Sequence, residues 1–261
     1  MRRSALLVGA LAALAFACGP GGNREHGDLA PAPREAVTPQ VLDARWEQAV
    51  AAFRNGKWND ATKLFQHVQR ELPPGDPRVA KAHFFLGNAL LARSENLDAV
   101  REFRRVSDES PNDPLAPDAL LRVGDAYADL WKGPELDPTY GQTALAAYQE
   151  LVSRYPGTPA ATRADERIKD LQEMFAVKEY KAALYYLRYK AYDSAILYLK
   201  DLVATYPRAA VAPEALIRLV GAYRKLGYQE DIKETCGYIR RFHPDAPGIR
   251  EACPGDSTAS S

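Results

Sequence analysis

The apolar positions of this chain repeat in one pattern along most of its length. A small residue is followed four positions later by a large apolar residue, three later by another, and five later by proline. Steps of four and three place these side chains on one helix face, and the proline ends the helix. Five segments carry the pattern, the last in a weaker form: 61–73, 99–111, 144–156, 195–207 and 232–244.

A second apolar helix pattern precedes the copies. Leu86-Gly87 lies ahead of the second copy, and Val123-Gly124 lies ahead of the third. A glycine on one helix and a small alanine on the next let the two helices approach closely, as in tetratricopeptide repeats. We therefore predict an all-α fold, a right-handed α-solenoid of five tetratricopeptide-like helical hairpins.

The spacing between the copies predicts two insertions. In the third repeat Ala144 follows Tyr127 by 17 positions, whereas Ala99 follows Leu90 by nine in the second, and the proline and glycine residues of 133–138 indicate a loop. From Ala160 to Arg188 the chain has neither glycine nor proline, which predicts one helix of about 30 residues capped by Thr158. This helix would join two halves of the solenoid.

These patterns divide the chain into five parts. They are a signal peptide at 1–17, a flexible tether at 18–40, repeats one to three at 41–157, the long helix with repeats four and five at 158–245, and a tail at 246–261.

The N-terminus is typical of a secretory leader. Arg2 and Arg3 precede thirteen apolar or small residues, Ala5 to Ala17. As a helix this run spans about 20 Å, too short for a hydrocarbon core of about 30 Å. We therefore expect it to be cleaved.

Two cleavage sites are possible at the end of this leader. Ala15-Phe16-Ala17 would suit ordinary signal peptidase and release a soluble protein. The same residues ending on Cys18 resemble a bacterial lipobox, although Leu14 lies one position early. Because the chain has only three cysteines, we favour acylation of Cys18, which anchors a protein stably when two chains are attached. By resemblance to sorting rules, Gly19 favours the outer membrane and so the periplasmic face.

Composition and motifs exclude several functions. Without Arg2 and Arg3 the chain has two more acidic than basic residues, which argues against a nucleic-acid surface. No HExxH, GxGxxG or phosphate-binding loop occurs, and the four histidines are scattered, so we expect no enzyme, metal or cofactor. We expect His83 to be an interhelical core residue.

The chain resembles the BamD (ComL-type) family of outer-membrane assembly lipoproteins. The resemblance rests on the lipobox, the tether, the five repeats and the phrases LVSRYPGTPAATRA and EYKAALYYLRYKAYDSAILYLKDLVATYP. It implies a non-enzymatic scaffold of the β-barrel assembly (BAM) complex. It further implies that the N-terminal repeats recognise targeting signals of unfolded outer-membrane proteins and that the C-terminal repeats bind a POTRA domain of a BamA-type barrel subunit.

The first helix of each tetratricopeptide hairpin lines the concave side, with its fifth and ninth positions facing inward. In the N-terminal half these groove candidates are Trp46, Val50, Phe84, Asn88, Leu121 and Asp125. Such an apolar stripe can mark a peptide-binding groove. Burial of the same side chains by the curvature of the repeats is the alternative.

In the C-terminal half the inward positions are apolar as well. Tyr180, Leu184 and Ile217 are the candidates there for contact with a folded partner. A core role is the alternative for these residues too.

Two cysteines remain after Cys18. The compartment beyond the inner membrane is oxidising, and Cys253 follows a proline-containing turn that could bring it back over Cys236. A disulfide would close a loop of about 16 residues and contribute roughly 3 kcal/mol. Two free thiols are the alternative.

The sequence is also compatible with a second function. The chain could be another periplasmic repeat lipoprotein, one that coordinates envelope constriction or binds the cell wall. A trimerising N-terminal coiled coil would favour that function, but residues 19–39 show no heptads.

Overall fold

The computed structural model describes residues 38–254, which form eleven helices and no β-strand. The predicted leader, Cys18, nearly all of the tether and residues 255–261 lie outside this range. The helices are α1 Pro39–Arg54, α2 Trp58–Glu71, α3 Arg78–Ala92, α4 Asn96–Glu109, α5 Ala116–Ala128, α6 Thr139–Arg154, α7 Pro159–Arg188, α8 Tyr192–Thr205, α9 Ala212–Leu226, α10 Gln229–Phe242 and α11 Ile249–Ala252.

The ten long helices form five consecutive hairpins. They pair as α1 with α2, α3 with α4, α5 with α6, α7 with α8, and α9 with α10, and each hairpin packs on the next through its second helix. The predicted all-α fold of five hairpins is therefore confirmed.

Glycine and aromatic residues set the close packing of the second and third hairpins. A Cβ added at Gly87 would lie 2.7 Å from the ring of Phe103, and one at Gly124 would lie 2.2 Å from the ring of Tyr148. Both rings are fully buried. Because Gly87 on α3 and Gly124 on α5 have no side chain, the aromatic residue of the partner helix has room to pack there.

The long helix belongs to both halves of the molecule. α7 has 30 residues, and the Thr158 hydroxyl accepts a hydrogen bond from the Ala161 amide at 3.2 Å, as the predicted N-cap should. Leu171 and Phe175 pack in the core of the first three hairpins, whereas Tyr180 packs in the core formed with α8 and α9. The two cores therefore meet along one uninterrupted helix.

One predicted boundary needs correction, and the predicted tail contains a short helix. The predicted tether extended to residue 40, but Thr38 caps α1 and Pro39 occupies its first turn, so the helix begins at Pro39. The predicted tail beginning at residue 246 is partly structured, because α11 packs against α9 and α10.

The predicted loop in the third hairpin covers residues 129–138 and packs on α7. The indole of Trp131 stacks on Phe175 with ring centroids 4.6 Å apart. The Lys178 ammonium donates hydrogen bonds to the carbonyls of Pro134 at 3.2 Å and Leu136 at 2.9 Å. The loop therefore ties the third hairpin to the long helix.

Candidate functional site

Two of the predicted groove residues form a half-buried aromatic edge in the N-terminal half. The Trp46 ring lies 5.8 Å from that of Phe65, edge to face, and the Phe84 ring lies 5.7 Å from that of Phe103. Each ring thus has one side against the core and keeps part of its surface accessible. Rings held in this way present apolar surface without losing much side-chain freedom on binding.

The third apolar residue of the predicted stripe does not reach the surface. Leu121 is only 5% exposed. Its helix, α5, packs against α4, α6 and α7, so neighbours cover the inward position. The expectation of a continuous stripe from Trp46 through Phe84 to Leu121 was wrong at its last residue, which belongs to the core.

The remaining groove candidates are partly exposed. Val50 packs against the core, and the Asn88 amide donates a hydrogen bond to the carbonyl of Phe84 at 2.8 Å. Asp125 accepts a hydrogen bond from the Tyr148 hydroxyl at 2.9 Å. The polar residues are therefore oriented by hydrogen bonds from within the repeats.

Charge accumulates around Asp125 at the end of the N-terminal half. Arg122 lies 3.3 Å and Arg167 3.6 Å from its carboxylate oxygens. Burial, and then the Asp125 carboxylate, raise the pKa of Tyr148 above its usual range, so the hydroxyl remains a donor. An open cavity of about 350 Å³ lies beside these groups.

One candidate of the C-terminal half is buried. Tyr180 is 8% exposed because α7 packs against both α8 and α9 at this point. Burial, and then the neighbouring Glu214 carboxylate, raise the pKa of Tyr180 to about 12. The expectation that Tyr180 contacts a partner was wrong; it is a core residue.

The other two candidates remain accessible. Leu184 is 37% exposed, and Ile217 is half-buried on α9. Tyr185 and Tyr189, which we did not predict as site residues, are more exposed still, and their rings lie 4.8 Å apart. Tyr185 lies on the last turn of the predicted helix and Tyr189 follows it by four residues, just after the helix ends; this spacing is the signal that could have identified this surface.

The two remaining cysteines are joined in the structure. Cys236 and Cys253 form a disulfide with Cα atoms 5.5 Å apart, and both are buried. The Arg240 guanidinium also donates hydrogen bonds to the carbonyls of Cys253 at 3.1 Å and Pro254 at 2.9 Å. These bonds hold α11 against the two helices of the last hairpin.

His83 is a buried interhelical residue. Its Nδ1 atom lies 2.6 Å from a Glu102 carboxylate oxygen and 2.9 Å from the Gln69 amide nitrogen. These partners come from α2 and α4, so the cluster joins the first hairpin to the second. Among residues 38–254 no group of histidine, cysteine or acidic side chains could hold a metal ion.

Comparison with known proteins identifies the family. The family model YfiO, described as outer membrane lipoprotein, matches residues 41–237. This chain belongs to the YfiO family of outer membrane lipoproteins.

Three relatives are each named outer membrane protein assembly factor BamD. The relative from Xylella fastidiosa is 30% identical, over 85% of this chain and 80% of its own length. That from Neisseria meningitidis is 26% identical, over 82% and 84%. That from Caulobacter vibrioides is 28% identical over 69% of this chain, but the match spans only 59% of that relative. The expectation that the chain is not an enzyme agrees with relatives named as assembly factors.

Two structural findings accompany the family assignment. Among solved structures, the TPR2AB domain of yeast Sti1 aligns over 79% of this chain with 13% identity and a TM-score of 0.45. None of the helices between residues 38 and 254 combines the length and apolar character needed to cross a bilayer.

Proposed function

We propose that this chain is a non-enzymatic scaffold lipoprotein of the outer-membrane β-barrel assembly complex. The observation that carries the proposal is its similarity, over most of its length, to relatives named BamD. A stack of helical hairpins supports such a role because it offers extended surface along successive repeats. The acyl anchor on Cys18 would hold this scaffold at the periplasmic face of the outer membrane.

The N-terminal half would bind targeting signals of unfolded outer-membrane proteins. Trp46 and Phe84, at the fifth position of their helices, offer accessible ring surface, and Val50, Asn88 and Asp125 occupy the ninth, the second inward position. An extended aromatic-rich segment could pack on these rings and pair its backbone with the polar side chains. Leu121 has no part in this surface because it is buried.

The C-terminal half would bind a POTRA domain of a BamA-type barrel subunit. Leu184, Tyr185 and Tyr189 place exposed apolar surface at the end of α7. Tyrosine suits such contacts because it combines a large apolar body with a polar tip and loses little side-chain freedom on binding.

Affinity capture from solubilised outer membrane tests the assembly role. We expect the tagged protein to recover a barrel subunit carrying POTRA domains. Recovery without any such partner would contradict the proposal. A Cys18→Ala variant tests the anchor separately, and we expect it to leave the outer-membrane fraction.

Photo-crosslinking tests the assignment of the groove. A photoreactive residue at Asn88 should crosslink to unfolded outer-membrane proteins, whereas the same residue at exposed Gln66 on α2 should not. Equal crosslinking at both positions would remove substrate binding from the groove and leave the membership in the complex standing.

A further inference from the structure

An open cavity of about 720 Å³ lies between the end of α7, the start of α8, the middle and second half of α9 and the segment that carries α11. Leu187, Ile217 and Ala222 contribute apolar surface, and Gly248 and Ala252 line the side formed by the C-terminal segment. This volume is within the range of about 300–1,000 Å³ typical of binding sites. The cavity is thus large enough to receive a bulky side chain from another molecule.

A missing side chain keeps this cavity open. Gly221 lies at the ninth, inward-facing position of the fifth hairpin, and a Cβ added there would have no heavy atom within 4 Å apart from its chain neighbours and its own helix backbone. The other four hairpins carry a side chain at the same position: Val50, Asn88, Asp125 and Leu184. We chose the inward candidates in the sequence by their side chains and therefore passed over Gly221.

The charges around the cavity are mostly positive. Arg218 is paired with Glu214 at 3.1 Å. Arg224 donates to the backbone carbonyls of Glu251 and Ala252, and neither it nor Lys225 has a carboxylate partner among the described residues. Among residues 38–254, Glu251 is the only acidic residue that lines the cavity. A ligand that carries a carboxylate would complement this excess of positive charge.

We propose that this cavity receives a protein segment in which one bulky apolar side chain is flanked by acidic residues. The apolar side chain would fill the space above Gly221, and the acidic groups would pair with Arg224 and Lys225. This assignment rests on the proposed function, since the segment would belong to the periplasmic domain of the barrel subunit that the C-terminal half binds.

The disulfide holds one wall of this cavity in place. Gly248, Glu251 and Ala252 line the cavity, and they belong to the segment held by the bond from Cys253 to Cys236. One wall of the cavity thus depends on the attachment of α11.

Filling the cavity tests the proposal. The variant is Gly221→Leu, and the matched control is Gly237→Leu on α10. Both glycines are exposed in helix interiors, and at both an added Cβ would have no heavy atom within 4 Å. Both variants should therefore fold and gain helix propensity. Only the first one occupies the cavity.

A labelled peptide provides the direct readout. The probe is acetyl-Ser-Glu-Phe-Asp-Ser-amide carrying a fluorophore, titrated into the full mature chain in detergent and followed by anisotropy. We expect saturable binding that Gly221→Leu weakens about tenfold, a change of about 1.4 kcal/mol, and that Gly237→Leu leaves unchanged. Replacing both acidic residues of the peptide by lysine should weaken binding by a similar factor. Failure of the unaltered chain to bind, equal binding by both variants, or indifference to peptide charge would overturn the proposal.

Capture from solubilised outer membrane separates this proposal from the broader function. We expect Gly221→Leu to lose most of the barrel subunit and Gly237→Leu to retain it. If both variants retain it, the cavity is not the docking site, and the assembly role stands. If the unaltered chain recovers no barrel subunit, the assembly role fails, and the peptide titration still decides whether the cavity binds an acidic, apolar segment.

Discussion

The two halves of the molecule use glycine in opposite ways. In the N-terminal half Gly87 and Gly124 are in contact with buried rings from the partner helix. In the C-terminal half Gly221 and Gly237 have open space where a side chain would be. A helix glycine therefore indicates close packing only where an aromatic residue from the next helix occupies the space beside it. Elsewhere it leaves surface open to another molecule.

The two halves also differ in how far their aromatic side chains are buried. Phe65, Phe103 and Tyr148 are buried in the core of the first three hairpins. By contrast, Tyr185 on the last turn of α7 is 59% exposed, and Tyr189, which follows the helix, is 64% exposed. The N-terminal half uses most of its rings for its own stability, whereas the C-terminal half presents several of them to solvent.

Gly124→Ala should give the largest effect. The new methyl group would meet the buried Tyr148 ring at 2.2 Å, and overpacking of this kind costs about 3 kcal/mol. The same change at Gly221 should instead stabilise the chain by up to about 1 kcal/mol, because alanine favours a helix and meets no neighbour. Urea denaturation of both variants measures this. Equal effects at the two positions would contradict the contrast between the halves.

Loss of the disulfide should give the second largest effect on stability. Replacing Cys236 and Cys253 by serine removes a link across 17 positions and should lower the opening free energy of the last hairpin by about 2–3 kcal/mol. Hydrogen exchange of α10 and α11 amides measures this, with the distant α1 as an internal control. Reductant should reproduce the effect in the unaltered chain and add nothing to the variant. Protein from the native compartment that contains two free thiols would contradict it.

Glu102→Gln should reveal a pH-dependent contribution in the N-terminal half. Burial acts to raise the pKa of Glu102, but hydrogen bonding and attraction from His83 outweigh it and hold this pKa below its usual value of 4.5. Because the pKa is depressed in the folded chain, the carboxylate stabilises the fold above that value, and this contribution is lost as the pH falls through the folded pKa.

We therefore expect Glu102→Gln to cost about 1–2 kcal/mol at pH 6 and less as the pH falls below about 4.5. Urea denaturation across this pH range measures the difference. Glu109→Gln, an exposed change on the same helix, is the control. A cost that does not change with pH would show that the carboxylate of Glu102 is not the stabilising group.

Lys190→Gly should give the smallest effect. Lys190 occupies the turn between α7 and α8 with φ of 58°, where the first and last hairpins have Gly56 and Gly227. A left-handed conformation costs an L-residue about 1 kcal/mol, partly offset by the extra freedom of glycine in the unfolded chain. We expect a gain of about 0.5 kcal/mol. The reverse change, Gly227→Ala, should destabilise the chain, and thermal unfolding measures both.

The fold was largely predictable from the sequence, whereas the accessible surfaces were only partly so. Prolines and apolar spacing predicted five hairpins, and the absence of glycine and proline predicted the length of α7. The same spacing placed Leu121 and Tyr180 on the inward side but could not tell how many neighbouring helices cover them. The packing of Trp131 on α7 was also missed, because a loop carries no period from which its contacts could be inferred.

The continuity of α7 fixes the distance between its two ends. At 1.5 Å per residue its 30 residues span about 45 Å, and no glycine or proline after Pro159 offers a joint. A flexible linker would allow the two ends to sample many separations. A single helix instead sets one separation, so any polypeptide engaged at both ends at once must be long enough to bridge it.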